Sequence, residues 1–307
     1  MRHRGYSRRL QRAMTDFGAE ESFARASRRL KEHYGISVGS EVFRQVTLIH
    51  GRAIAGVAPA TAAPARELVT QMDGSLIPVV QPSRQGDRRQ GKTLLWREVR
   101  VCCAQAAGKA DRIYGATLGT LESCSMLWEQ TARYAGLHQK TYVHGVGDGA
   151  PWILEKFKEN FQGQGKYLLD FFHVSEYLAQ AARAWGGERT SSKWLRRQQG
   201  RLLNNQVSKV LRSLSTRLEP ENGDKERTPV RNAYRYIQER KAQMDYEGAR
   251  RKNRPIGSGQ VESAHRHLVQ KRLKIAGAWW KETNAQLLLN LRVARANHCW
   301  NAYWSKN

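Results

Sequence analysis

The sequence predicts an α/β fold: a mixed five-stranded sheet with helices on its faces, an all-helical insertion, and an N-terminal helical region. Three observations predict it. Apolar, β-branched runs of strand length recur at 68–80, 94–106, 112–119, 141–148 and 166–174. Helical patterns separate the last three of these runs, and between 187 and 254 strand signals stop while polar helices take over. The expected divisions are 1–64, helical with a linker; 65–186, the first part of the sheet domain; 187–254, the insertion; and 255–307, the remainder of the sheet domain.

The first two helical patterns are AEESFARASRRLKEHYG, closed by Gly35, and SEVFRQVTLIHGR, beginning near Ser40. With Phe23, Leu30, Val42, Val46 and Ile49 as inner faces they read as a helix-turn-helix-like region or as a plain helical hairpin. AIAGVAPATAAP, rich in small residues and proline, reads as a linker. LVTQMDGSLIPVV sets Asp73 in an apolar strand, LLWREVRVCCAQA alternates as a second, and RIYGATLG is a shorter third. LESCSMLWEQTARYAG is an amphipathic helix closed by Gly136. TYVHGVGD is the fourth strand, with a helix over 152–162 after Pro151. KYLLDFFHV is the fifth, ending at Asp170 and His173, and SEYLAQAARAWGG is the helix after it. Three strands, then helix, strand, helix, strand, helix is the ribonuclease-H-like order.

Charge bounds the partner. Fifty-two Lys and Arg against 27 Asp and Glu leave +25, a field that attracts a polyanion through counterion release without reading sequence. No apolar run approaches the ~20 residues that span a bilayer, and the basic N-terminus lacks the apolar core of a secretion signal. The four cysteines show no CxxC spacing, so buried reduced thiols are expected rather than a zinc site with His265, His267 or His298.

Two acidic positions stand out besides Asp73. Asp148 is boxed by Gly145, Gly147 and Gly149 at a strand end, where it either presents a carboxylate to a ligand or caps the next helix. The glycines are expected to keep side chains out of the space such a ligand needs. Glu262 falls in the first turn of a helix opened by Ser258 or Gly259, where it also has Arg266 four residues on as an ordinary ion-pair partner. The basic run at 250–254 supplies Arg250, Arg251, Lys252 and Arg254 as phosphate contacts. A competing motif is GDRRQGKT at 86–93, which fits the Walker A pattern from Gly86 to Lys92 and Thr93, with YLLD at 167–170 as a Walker B strand. A P-loop must open a helix, and LLWREVRV alternates like a strand, so a basic turn is the expected reading and a P-loop ATPase the alternative.

MDGS at 72–75, GDGAPWI at 147–153, DFFHV at 170–174, GSGQVESAHRHLVQKRLK at 257–274 and NAQLLLNLR at 284–292 together resemble a bacterial insertion-sequence transposase of the DDE class, in particular the ISKra group. The likeness covers most of the chain from about Thr15, and because relatives commonly carry further N-terminal sequence the chain is expected to be short there. The resemblance implies metal-dependent DNA strand cleavage and strand transfer. Its catalytic and metal-holding residues would be Asp73, Asp148 and Glu262, with two magnesium or manganese ions. Attack on a phosphodiester needs an activated oxygen and neutralised charge, and magnesium takes few carboxylates and keeps water and substrate oxygens. His173, three residues after Asp170, either contacts the scissile strand or supports the carboxylates; a histidine satisfied by hydrogen bonds is the plain alternative. Arg266, Lys271, Arg272 and Lys274 extend the Glu262 helix as DNA contacts, and Trp279 and Trp280 either stack on a base or pack in the core. The implied partner is double-stranded DNA, transposon ends and target, bound by at least a homodimer in the bacterial cytoplasm at the nucleoid. The other class consistent with the charge is a non-catalytic nucleic-acid-binding protein, a degraded transposase.

Overall fold

The computed structural model describes residues 5–82, 91–161, 163–185, 187–220 and 228–305. In chain order the elements are α1 (Arg8–Glu20), α2 (Phe23–Tyr34), α3 (Ser40–Ala53), β1 (Glu67–Pro82), β2 (Lys92–Ala106), β3 (Ile113–Thr117), α4 (Leu121–Tyr134), β4 (Tyr142–Gly147), α5 (Pro151–Phe161), β5 (Gly165–Leu169) and α6 (Phe171–Trp185). The insertion follows as α7 (Glu188–Leu203), α8 (Val207–Ser215), α9 (Pro229–Arg240) and α10 (Tyr246–Arg251). The chain then closes with α11 (Gly259–Ala264), a π-helical stretch (His265–Gln270), α12 (Lys271–Leu273), α13 (Glu282–Ala296) and α14 (Cys299–Ser305).

The sheet order is β3-β2-β1-β4-β5. β1 and β4 run parallel, as do β4 and β5, while β2 and β3 are antiparallel. That is the expected ribonuclease-H-like mixed sheet, with an all-helical insertion and N-terminal helices.

One compact unit comprises Met1–Ala65, Met72–His138 and Gln260–Asn307. Its N-terminus holds the two helices that the sequence suggested, α2 and α3, and a further one, α1, before them. Glu21 and Ser22 are extended, and Ser22 Oγ accepts from Arg25 N at 3.3 Å, so α2 starts at Phe23 and not at the head of the pattern AEESFARASRRLKEHYG. Gly35 ends α2 in the left-handed region at φ 69°. Met14, Ala26, Leu30, Phe43 and Val46 form the core of this bundle. α3 then packs so closely on α13 that a Cβ on Gly51 would lie 2.5 Å from the Leu287 carbonyl oxygen. The segment read as a linker is tied down, with Ala62 N donating to Tyr134 O at 2.8 Å and Ala65 N to Gly136 O at 2.9 Å.

The other unit comprises Arg66–Gln71 and Gln139–Gly259. Val146, Leu169, Val174 and Leu178 meet Leu202, Leu214 and Ile237 in its core, so the insertion shares an interior with α6. The fifth strand is shorter than expected. DFFHV turns helical because Asp170 Oδ1 accepts from Phe172 N at 2.6 Å and His173 N at 3.1 Å, the geometry of a helix N-cap. His173 therefore lies in the first turn of α6 and not at a strand end. The acidic break at 219–226 falls largely outside the described residues.

Candidate active site

Asp73 sits on β1, its side chain about one-third exposed, and Oδ1 accepts from the following amide of Gly74 at 2.7 Å. Gly74 is where Glu98 of β2 crosses the strand, since a Cβ there would lie 2.2 Å from Glu98 Oε1. Asp73 Oδ2 is 3.4 Å from Nε2 of His265. His265 is buried, and neither ring nitrogen has a well-formed hydrogen bond. Burial pushes its imidazole down to about 4, so the ring is neutral near pH 7. Glu262 is exposed in the first turn of α11, three residues before His265, so the two share a helix face. The helix carrying Glu262 thus touches Asp73 through His265.

The helix widens to a π turn from His265 to Gln270. Buried Arg292 meets its carbonyls, Nε donating to Leu268 O at 2.9 Å and to His267 O at 3.1 Å. A π segment exposes backbone acceptors that an α-helix would pair, and a guanidinium fork suits them.

Asp148 is half-buried just past the end of β4, and its Oδ1 accepts from Ala150 N at 2.9 Å, so it does cap the approach to α5. Its carbonyl oxygen accepts from the Tyr236 hydroxyl, and Arg240 Nε donates to Gly149 O at 3.0 Å. The insertion helix α9 therefore holds this loop. Tyr236 stacks on Tyr177, centroids 4.1 Å apart and nearly parallel, and the His173 ring meets both edge-on at 5.8 and 5.5 Å. His173 Nδ1 lies 3.5 Å from Glu176 Oε2.

The glycines around Asp148 have uses other than the one expected. A Cβ on Gly145 would lie 2.4 Å from the Phe157 ring, and one on Gly149 2.3 Å from Leu169 Cδ1. They admit α5 and a β5 side chain. Gly149 also takes φ 77°, where other residues are strained.

Asp170 is the polar anchor that the sequence did not reveal. It is 1% exposed, and Oδ2 accepts from both the amide and the hydroxyl of Ser258 while Oδ1 caps α6. Gly257, between Gln71 Nε2 on its carbonyl at 3.2 Å and the Phe172 ring 2.6 Å from where a Cβ would stand, fixes the turn that starts α11. Asp170 and Ser258 belong to two of the quoted motifs, and that co-occurrence is the only signal in the sequence.

The proposed phosphate contacts separate on burial. Arg250, Arg251, Lys252, Arg266, Lys271 and Lys274 are exposed. Arg272 is not, and this corrects the expectation: it is 1% exposed between the Phe23 and Trp280 rings, with Nε donating to Gly18 O at 3.1 Å. Arg254 is likewise committed, its Nε and Nη2 paired to Glu67 at 2.7 and 2.8 Å with the guanidinium 3.9 Å from the Tyr142 ring centroid. Trp280 is core and Trp279 is 60% exposed.

The P-loop alternative fails. Lys92 and Thr93 open strand β2, so no helix N-terminus follows the motif. Residues 86–90 lie outside the described residues. All four cysteines are buried free thiols. Among the described residues no group of three or more His, Cys, Asp or Glu could hold a metal ion, and no helix is long and apolar enough to cross a membrane.

No curated protein matches the chain. Among solved structures, the Drosophila P element transposase strand transfer complex aligns over 100% of this chain and 82% of its own, at 9% identity and a TM-score of 0.38, a likeness too slight to carry an argument. The model of an uncharacterised protein family, UPF0236, matches residues 2–302, and the chain belongs to that family.

Proposed function

We propose that the protein is a DDE-type transposase that cleaves DNA at the ends of an insertion sequence and transfers the strands, as its motif resemblance to the ISKra group implies. The observation that carries the reading is the contact of Asp73 with His265, one turn along the helix from Glu262. It joins two of the three acidic motifs, 189 positions apart in sequence. The third, Asp148, follows β4, the strand that pairs in parallel with the first half of β1. A ribonuclease-H-like sheet and a charge of +25 suit a DNA substrate. Exposed Arg250, Arg251, Lys252, Arg266, Lys271 and Lys274 would take the phosphates, and a homodimer on DNA would bring two ends together.

Asp73, Asp148 and Glu262 supply hard oxygen donors of the type magnesium or manganese takes, although the described residues do not present them as a ready ligand group. Such ions, two in this chemistry, supply charge neutralisation at the phosphate. The chain's own part is to hold the carboxylates: Gly74 and His265 flank Asp73, Ala150 and the Tyr236 hydroxyl hold the Asp148 turn, and Asp170 with Ser258 fixes the start of the Glu262 helix.

The test is nicking of a plasmid that carries the DNA flanking the coding sequence, in magnesium or manganese. Wild type should nick it, and Asp73→Asn, Asp148→Asn and Glu262→Gln should bind it without nicking. Nicking at the wild-type rate by any of the three removes that residue from the assignment. A second reading, a non-catalytic DNA-binding protein, is favoured by the absence of a three-donor group among the described residues. Binding without nicking by the wild type in either metal would establish it.

A further inference from the structure

A cavity of about 420 Å³ opens beside β4 and β5, and none of the three carboxylates proposed for cleavage lines it. Ligand pockets run from roughly 300 to 1,000 Å³. The interior is apolar and aromatic: Leu154, Phe157 and Tyr167 line it, with the Phe157 and Tyr167 rings 5.5 Å apart at 60°. Tyr142 is another wall, and Arg254 on its face is already neutralised by Glu67.

Two polar side chains are buried in this lining, Tyr167, whose hydroxyl accepts from Gly149 N at 3.3 Å, and His144. His144 is 3% exposed, and its Nε2 faces the Pro255 carbonyl at 2.8 Å. A carbonyl only accepts, so Nε2 carries the hydrogen. Burial lowers the tendency of the ring to protonate, which leaves Nδ1 as a bare acceptor for a donor such as an exocyclic amine. The remaining charged groups are exposed Lys158, Lys166 and Lys252 with one carboxylate, Asp245. Asp245 is engaged already, Oδ1 accepting from Asn205 Nδ2 at 2.7 Å and Gly248 N at 3.0 Å. An occupant that meets all three features has a flat ring, a donor edge and an anionic group.

We propose that this cavity binds a nucleoside phosphate, ring inside and phosphate on the lysines, either as a free nucleotide or as the 5′-phosphorylated end of a DNA strand. The site shares Lys252 with the proposed DNA contacts, but its test needs no cleavage. The full chain is titrated with dAMP, deoxyadenosine and inorganic phosphate. dAMP should bind at least about tenfold tighter than either fragment. Lys158→Ala with Lys166→Ala should weaken dAMP by about tenfold or more, the worth of one charge-assisted hydrogen bond, and Ala242→Trp, at an exposed position on the cavity wall, should block it. Duplex binding should be unchanged in both variants, which shows that they fold. Equal affinity for dAMP and phosphate, or undiminished dAMP binding in both variants, overturns the proposal. Displacement of bound dAMP by a 5′-phosphorylated oligonucleotide but not its 5′-hydroxyl counterpart identifies the strand end as the source; displacement by free nucleotides alone identifies the mononucleotide.

Discussion

Asp170 and Ser258, 88 positions apart, are joined twice: one carboxylate oxygen accepts from the backbone amide of Ser258 at 2.5 Å and from its hydroxyl. The same carboxylate caps α6. Removing one partner of a buried charge-assisted bond leaves the other unsatisfied. Ser258→Ala should therefore cost about 2 kcal/mol, and Asp170→Asn, which turns an amide NH₂ towards N–H donors, about 3 kcal/mol or more. Urea denaturation of the two variants checks this order. Wild-type stability in Ser258→Ala would show that the amide contact alone anchors the turn.

Histidine burial sets an acid limit. His144 is held neutral by burial, so its folded pKa lies below the ordinary 6.5. The unfolded chain takes up the proton first as pH falls. The stability this group contributes is therefore complete above about pH 6.5 and is lost as pH drops through that value towards the folded pKa. His144→Gln, which keeps a donor for Pro255 O, should flatten the decline in urea midpoint between pH 8 and pH 5. His265 and His267 are shifted the same way, so part of the slope should remain.

The basic residues on the Glu262 helix divide into two behaviours. Arg266→Ala or Lys271→Ala should each weaken duplex binding and reduce the salt slope of log K by about 1, with no change in melting temperature. Arg272→Ala should do the reverse. It empties the space between the Phe23 and Trp280 rings and orphans the Gly18 carbonyl, for a loss of about 3 kcal/mol. Salt-dependent binding and thermal melts of the same three variants separate the roles.

Arg254 and Glu67 form a two-pronged pair whose side chains are 12% and 25% exposed. Arg254→Lys keeps the charge but not the fork or the stacking on Tyr142, so it should cost about 1 kcal/mol at neutral pH. The Arg254 hydrogen bonds hold the Glu67 carboxyl below its ordinary 4.5. The difference between variant and wild type should accordingly shrink as pH falls through the carboxylate range, which denaturation at pH 7 and pH 3.5 would measure.

Local pattern in the sequence determined the five strands and most of the helices around them. Alternation in LLWREVRV is written within eight residues and predicts β2, which also removes the P-loop, because a strand and a phosphate-holding helix cannot begin at the same Lys92. The acidic positions Asp73 and Asp148 were likewise readable, each at a strand and beside glycine. Boundaries set by a single side chain were not: Ser22 and Asp170 each cap a helix through one oxygen, and periodicity does not register such a bond.

Tertiary structure alone decided which polar groups are interior. Arg272 and Lys271 are adjacent and chemically alike, yet one is walled in by Phe23 and Trp280 while the other faces solvent. His265 meets Asp73, and Asp170 meets Ser258, across separations far longer than any helical or strand period. The reason is physical: propensity and period act over a dozen residues, whereas burial and pairing depend on which surfaces the folded chain brings together. The residues proposed for chemistry could be named from sequence, but the groups that hold them in place could not.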